Sequence, residues 1–174
     1  MKFDPSIVQT NFKSPLGTII IAATDSGLAG LWFEGQRHSP AQLTGGLPAW
    51  PASPDHPVLK KISVQLKEYF AGKRTQFDIP LDLSGGTAFQ QAVWTVLLGI
   101  PQGRTTSYGD VSQRIGKPAA VRAVGAAVGR NPVSIIVPCH RVVGANGSLT
   151  GYAGGLDRKT ALLKLEGALP EHMF

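Results

Sequence analysis

Residues 107–129 read SYGDVSQRIGKPAAVRAVGAAVG and contain the start and stop signals of two short helices. Ser107, with an acid three residues later, fits a capping box that begins the first helix. Gly116 suits the left-handed position just after that helix. Pro118 suits the first turn of a second helix over 119–129. A helix, a short glycine-containing turn and another helix predict a helix-turn-helix.

The second predicted helix, over 119–129, consists almost entirely of Ala, Gly and Val. Arg122, near its start, is its one long polar side chain. Small side chains let a helix approach a DNA backbone closely, which favours the minor groove and contacts that do not read sequence. They equally let two helices pack tightly together, and the helix alone does not separate these two interpretations.

The charge of the chain is uneven along its length. The 174 residues hold 17 Lys and Arg against 11 Asp and Glu, a net charge of +6. Residues 1–84 carry 8 basic and 7 acidic side chains, a net of +1, whereas residues 85–174 carry 9 and 4, a net of +5. This asymmetry predicts an anionic partner for the second half, with nucleic acid first among candidates. A basic solubilising surface is the alternative.

Composition argues against several classes of protein. No run approaches the roughly 18 apolar residues that a membrane-spanning helix needs. The first residues, MKFDP, place an acid and a proline where a signal peptide is apolar. The single cysteine excludes an intramolecular disulfide framework and a multi-cysteine zinc site. We therefore expect a cytoplasmic protein.

The pattern of elements predicts two domains, over residues 1–84 and 85–174. The first is a small α/β unit that ends in a linker and contains no reactive constellation. The second opens with a capping box, Thr87 and Gln90, that begins a helix ending near residues 99–101. The predicted elements of the first domain are strands over 17–24 and 28–33, a surface loop over 36–57 and a helix over 58–71.

The candidate reactive groups are concentrated in residues 131–143, NPVSIIVPCHRVV. An apolar stretch, interpreted as a strand, runs into Pro138 and is followed by Cys139 and His140. A lone cysteine is usually a small buried hydrophobe, but this one lies beside ionisable groups in the basic half, where a thiolate is stabilised. His140 is the candidate base. Because neighbouring side chains of an extended chain point to opposite faces, either the chain bends after Pro138 or a water joins imidazole and thiol.

Glu166 is the candidate third group, at the end of a helix predicted over 157–166. By the logic of a catalytic triad, a third group fixes the tautomer of the base. A carboxylate at a helix C-terminus opposes the macrodipole, so a partner elsewhere explains its position. An exposed charge is the alternative. Arg141 is expected to pair with an acid, with a phosphate as the other option.

The segment Pro138-Cys-His-Arg-Val142 resembles the active-site signature of the O6-alkylguanine-DNA alkyltransferases. The resemblance covers the chain from about Gly86 to Gly167, and the first half resembles the family's ribonuclease-H-like domain. It implies an α/β ribonuclease-H-like domain, followed by a mainly α, winged-helix-like domain with a helix-turn-helix. The further matching segments are residues 122–125, 131–132, 146–147, 151–155 and 162–167.

The resemblance assigns roles to the reactive residues. It implies that Cys139 accepts the alkyl group, that His140 deprotonates it through a water, and that Glu166 holds His140 in its working tautomer. It also implies that Asn131 braces the turn before the reactive segment. Tyr108 would supply a proton as the guanine leaves.

The same resemblance implies a DNA-binding surface and a pocket for the target base. Arg122 would enter the base stack through the minor groove and fill the gap. The Ala153 amide would face the guanine oxygen, and an Ala here, where some relatives have Ser, removes a hydroxyl contact. The implied DNA contacts are Ser107, Tyr108, Arg122, Ala123, Gly125 and Ala126, and the implied pocket residues are Val142, Tyr152, Ala153 and Gly154.

The activity implied by the resemblance is direct-reversal DNA repair. The implied partner is double-stranded DNA with O6-alkylguanine, and O4-alkylthymine is left open as a second substrate. A base inside a duplex is not accessible at O6, so it must be flipped out. Because the thioether product has no hydrolytic return path, each molecule reacts once. No cofactor, metal or membrane is implied, and we expect a monomer.

Three other functions remain as alternatives at this point. A cysteine hydrolase using Cys139, His140 and Glu166 would need an oxyanion hole and would turn over repeatedly. A protein that recognises DNA lesions without chemistry suits relatives that lack the cysteine. A transcription factor is disfavoured because residues 119–129 lack side chains that read bases and no dimerisation element is visible.

Overall fold

The computed structural model describes residues 1–169, and residues 170–174, including His172, lie outside this described part. The chain divides into two compact units, Met1–Gly85 and a second that begins at Gly86. Among the described residues, no helix has the length and apolar character needed to cross a membrane. The same residues contain no cluster of three or more His, Cys, Asp or Glu suited to a metal ion.

The first unit is an antiparallel three-stranded sheet with a helix against it. The strands are β1 (Val8–Ser14), β2 (Gly17–Thr24) and β3 (Gly27–Phe33), in that order across the sheet. The helices are α1 (Ala41–Thr44) and α2 (Pro57–Phe70). Strand β3 is buried along its whole length, and the apolar side of α2 closes the core. The predicted hairpin of β2 and β3 and the predicted helix are confirmed.

Two features of this unit differ from the sequence expectations. Strand β1 was not predicted, because its sequence VQTNFKS is mostly polar and its residues are only partly buried. The predicted loop over 36–57 contains the short helix α1 and a bridge between Gln9 and Ala52. The loop is therefore more ordered than its Pro, Gly and Ser content indicated.

The second unit is mainly helical. Its helices are α3 (Ala88–Leu98), α4 (Tyr108–Arg114), α5 (Val121–Gly129) and α6 (Leu156–Leu165), with a 3-10 helix over Cys139–Arg141. Two short parallel strands, β4 (Thr106–Ser107) and β5 (Val142–Val143), pair with each other. The capping box of α3 is confirmed, since the side chains of Thr87 and Gln90 each accept the other's backbone N–H.

Helix α5 packs on α3 through its small residues. Val124, Ala127 and Val128 are buried, and Trp94 of α3 donates its indole N–H to the Ala127 carbonyl over 2.8 Å. The helix begins at Val121 rather than at residue 119, because residues 117–120 form a separate turn closed by the Ala120 amide. The placement of Pro118 in the first helical turn was therefore wrong.

Candidate active site

The turn that precedes the cysteine is held by Asn131. Its side-chain amide donates to the Val137 carbonyl over 2.8 Å, and its side-chain oxygen accepts the Val133 amide over 2.9 Å. Asn131 is buried at 4% exposure, so these bonds are shielded from water. Ile135, inside the turn, has a left-handed φ of 73°, which is rare for a β-branched residue.

This turn overturns the prediction of an apolar strand that runs into Pro138. Backbone bonds run from the Val137 amide to the Val133 carbonyl and from the Ile136 amide to the Ser134 carbonyl, as in a compact turn. The apolar pattern indicated burial correctly but not backbone conformation, because buried turns and short buried strands have the same composition. After Pro138 the chain bends into the 3-10 helix, which is the first of the two alternatives considered for the cysteine and histidine.

Cys139 begins that 3-10 helix and is 5% exposed. Burial raises the pKa of its thiol, and the polar groups of Asn131 and Ser134 and the charge of Lys159 only partly oppose that rise. The expectation of a stabilised thiolate was therefore wrong. Desolvation disfavours the charged form more than the basic surroundings favour it. The resting cysteine is a thiol and needs a base to become a nucleophile.

His140, Arg141 and Glu166 form a buried network beside the cysteine. The carboxylate of Glu166 lies 2.8 Å from His140 Nε2 and accepts from Arg141 Nε over 2.8 Å and from its terminal nitrogen over 3.0 Å. Arg141 also donates to the Ile100 carbonyl over 2.6 Å. The expected pairing of Arg141 with an acid is confirmed, and Glu166 has a buried partner rather than an exposed position.

The protonation states of this network follow from its contacts. Burial alone would raise the pKa of Glu166, but hydrogen bonds from His140 and Arg141 outweigh it and hold the pKa at about 2. Burial lowers the pKa of His140, so the imidazole is neutral. An ionised carboxylate only accepts hydrogen bonds, so Nε2 of His140 carries the proton.

The other ring nitrogen of His140 is left to act as a base. Nδ1 is buried and has no hydrogen-bond partner among the described residues. In the Nε2–H tautomer this atom holds the free lone pair. Cys139 directly precedes His140, so the buried thiol and the neutral imidazole are carried by successive residues of the 3-10 helix. This arrangement suits activation of a nucleophile.

The pairing of β4 with β5 brings the start of α4 to the same place. Ser107 lies opposite Val143, and its hydroxyl accepts the Asp110 amide as the cap of α4. The hydroxyl of Tyr108, the next residue, lies 3.4 Å from the hydroxyl of Thr150. Tyr108 therefore contacts the loop that carries the predicted pocket residues.

We call residues 150–155 the pocket loop. Tyr152 lies close enough to Cys139 for the two to interact electrostatically, and burial raises the pKa of its phenol well above the ordinary value. Ala153 and Gly154 are half-buried, and the Gly154 carbonyl accepts from Arg158 over 3.1 Å. Val142 is fully buried and directly follows the 3-10 helix.

The predicted DNA contacts of α5 lie on its outer side. Arg122, Ala123 and Ala126 are exposed, and Gly125 is half-buried. A Cβ on Gly125 would lie 4.0 Å from the Tyr108 ring, so this side of α5 adjoins the start of α4. The small residues of the helix thus allow close internal packing on one side. On the other side they leave Arg122 surrounded by short side chains.

Lys159 also belongs to the candidate active site, but it was not predicted from the sequence. Its side chain is fully buried, and its ammonium donates to backbone carbonyls of Val142 and the pocket loop. The sequence does indicate that this lysine is buried, since residues 159, 162, 163 and 166 recur at the spacing of one helical face. A lysine within that buried face is the unusual feature.

Both halves of the chain match known protein families. Residues 7–83 match the family described as 6-O-methylguanine DNA methyltransferase, ribonuclease-like domain. Residues 88–168 match the family described as 6-O-methylguanine DNA methyltransferase, DNA binding domain.

Individual relatives agree with these matches. A methylated-DNA–protein-cysteine methyltransferase of Mycobacterium bovis is 50% identical over 153 residues, 88% of this chain and 88% of that protein. An inducible methylated-DNA–protein-cysteine methyltransferase of Bacillus subtilis is 49% identical over 146 residues, 81% of each chain. The crystal structure of Mycobacterium tuberculosis OGT in complex with DNA has a TM-score of 0.81 at 47% identity and covers 91% of both chains.

Proposed function

Because the chain belongs to the 6-O-methylguanine DNA methyltransferase family, we propose that it repairs DNA by moving the alkyl group of O6-alkylguanine onto Cys139. The observation that carries this proposal is the buried thiol beside a neutral His140 whose Nε2 faces the carboxylate of Glu166 over 2.8 Å. A protein that only recognised lesions would need neither a cysteine nor a neutral histidine oriented by a carboxylate.

The reaction begins with the proton of the thiol. His140 Nδ1 takes this proton through a bridging water, and Glu166 stabilises the imidazolium that forms. The sulfur then attacks the alkyl carbon as the bond from that carbon to O6 breaks, and the electron pair leaves on the guanine. Tyr108 donates a proton to the departing base, and the proton held by His140 balances that loss. The thioether is stable, so each molecule reacts once.

The DNA-binding part of the proposal concerns α4 and α5. We infer that these helices act as a helix-turn-helix and that α5 approaches the minor groove. Beyond Val121 and Arg122 its exposed residues are Ala123 and Ala126, whose small side chains suit close contact with a sugar-phosphate backbone. Arg122 would occupy the gap left by the flipped base. Ser107, Ala123, Gly125 and Ala126 would lie along the backbone on either side.

The flipped base would enter the space bounded by Cys139, Val142 and the pocket loop. Tyr152 would form one wall, and the backbone amides of Ala153 and Gly154 would face the guanine edge. We propose that a monomer suffices, because every residue of this scheme lies in one chain. A reducing compartment is required, since Cys139 must stay a thiol until it meets DNA.

The experiment that tests this function measures stoichiometry. Duplex DNA with a radiolabelled O6-methylguanine is added in large excess, and label on the protein is counted over time. The account predicts a plateau at one methyl group per molecule and none on Cys139→Ala. Continued turnover on an ester or peptide would support a cysteine hydrolase, and tight lesion binding without transfer would support a recognition protein.

A further inference from the structure

Lys159 lies within the buried face of α6 and has no exposed surface. Its Nζ donates to the carbonyl oxygens of Val142 over 2.6 Å, Thr150 over 2.7 Å and Gly151 over 3.3 Å. An ammonium has three donors and no acceptor. These three carbonyls therefore match its hydrogen-bonding capacity.

The three carbonyls belong to two different segments of the chain. Val142 follows the 3-10 helix of Cys139 and starts β5. Thr150 and Gly151 begin the pocket loop, directly before Tyr152. One cation on α6 therefore ties the reactive segment to the loop that faces it. These segments are otherwise separated by the exposed turn over residues 145–148.

Burying the charged side chain of Lys159 inside the protein is energetically unfavourable. Burial lowers the pKa of Lys159 to about 8, so the buried position disfavours the charged ammonium whose hydrogen bonds it depends on. Filling the space with an apolar side chain would avoid that cost, as it does at other buried positions. The hydrogen bonds to both segments are what an apolar side chain would not supply.

We propose that Lys159 is a positioning residue for alkyl transfer, whose ammonium holds the pocket loop against the reactive segment so that the target base is bound in register with Cys139. The inference rests on the proposed function. It concerns how the base is held, whereas activation of the sulfur belongs to His140 and Glu166. Loss of the ammonium should therefore weaken binding of the base more than it slows the chemical step.

The test separates binding from chemistry with a free base. Reaction of the protein with O6-benzylguanine is followed over a range of concentrations, which gives a half-saturating concentration and a limiting rate. Lys159→Met keeps an unbranched side chain of similar length without the charge. We expect its half-saturating concentration to rise by about 10- to 100-fold, in the range seen when residues that orient a site are lost. Lys164→Met, on the same helix, is the matched control and should leave both parameters unchanged.

A second reagent reports on the sulfur alone. Methyl iodide is small and needs no base pocket, so in Lys159→Met its rate with Cys139 should fall only by the loss of the charge that partly opposes the raised pKa of the thiol, and much less than the reaction at low O6-benzylguanine concentration. An unchanged half-saturating concentration for O6-benzylguanine would overturn the proposal. So would equal losses with both reagents, because these would place the effect on the thiol. Absence of transfer by the unaltered protein would instead contradict the proposed function.

The unaltered protein provides a test that does not depend on folding of a variant. Near Lys159, Cys139 and Tyr152 have raised pKa values, His140 has a lowered one and Glu166 stays ionised, so Lys159 is the member of this group expected to titrate near pH 8. At about pH 9 roughly a tenth of the ammonium remains, so the half-saturating concentration should rise by about tenfold over its value at pH 7. A flat profile would contradict the proposal.

Discussion

The Nε2 atom of His140 lies 2.8 Å from Oε2 of Glu166, and both side chains are completely excluded from solvent. The same carboxylate is bound by Arg141, so its charge is already balanced by a cation that does not titrate. A second proton on His140 would add a cation to a neutral pair. Burial, with the charges of Arg141 and Lys159, lowers the pKa of His140 and keeps the resting imidazole neutral, while Glu166 opposes this shift and favours the imidazolium once a proton arrives.

Glu166→Gln tests this network. The substitution keeps the size of the side chain but leaves the buried charge of Arg141 unbalanced and allows either tautomer of His140. We expect the free energy of unfolding to fall by about 3–5 kcal/mol, as when one partner of a buried pair is lost. We expect the methyl-transfer rate to fall by about 10- to 100-fold. Urea unfolding and single-turnover kinetics measure the two. The exposed Asp157→Asn on the same helix is the control, and an equal response of both variants would refute the network.

Stability should decrease in acid in two stages. The folded protein keeps His140 neutral, so the unfolded chain binds an extra proton as the pH falls through about 6.5. Glu166 keeps its charge down to a pKa of about 2, against 4.5 when unperturbed. It therefore contributes stability above pH 4.5 that is lost between pH 4.5 and 2, on the order of 3 kcal/mol. Urea unfolding against pH measures this. Glu166→Gln should remove most of the lower stage, leaving the part that comes from the lowered pKa values of Asp4 and Asp82, whereas the half-exposed Glu68→Gln should retain the whole stage; identical profiles for the two variants would contradict the assignment.

Asn131→Ala should destabilise the turn before Cys139. Without the side chain, the buried Val133 N–H loses its partner, at about 1–3 kcal/mol, while the Val137 carbonyl keeps the bond from the Cys139 amide. Calorimetry or urea unfolding measures the loss. Asn146→Ala is a matched control, because the Asn146 side chain accepts the Ser148 amide in an exposed turn. Equal stabilities of the two variants would argue against the bracing role.

Arg122→Ala should separate base flipping from chemistry. A free base needs no flipping, so reaction with O6-benzylguanine should stay within about twofold, while repair of duplex DNA should slow by about tenfold or more. Arg130→Ala, also exposed and at the end of α5, should weaken DNA binding through charge alone. Equal losses on both substrates for Arg122→Ala would contradict the proposed role of this arginine.

The elements most accurately predicted from sequence are those with local signals. The capping box at Thr87 and Gln90 sets the start of α3, and Gly116 has the left-handed conformation expected after α4. Capping and glycine conformation depend on a few neighbouring residues, so one sequence is sufficient to find them. The polar strand β1 has no such signal, because it is stabilised mainly by pairing with β2.

The sequence pointed to several residues of the candidate site but not to Lys159 or to the electrostatics. Motif order nominates Cys139, His140 and Glu166, and the structure pairs His140, the residue that follows Cys139, with Glu166. The raised pKa of the cysteine depends on how deeply the turn buries it, which charge counting along the chain does not reveal. Lys159 was missed for a related reason: its three carbonyl partners are 8 to 17 residues away and carry no side-chain signature.

The most direct test of the account locates the transferred group. The protein is mixed with duplex DNA that contains O6-methylguanine, digested, and its peptides are measured by mass spectrometry. We expect one added methyl group on the peptide with Cys139, equal in amount to the lesion lost, and none in Cys139→Ala. Loss of the lesion with no methyl group on Cys139, or equal repair by Cys139→Ala, would contradict it.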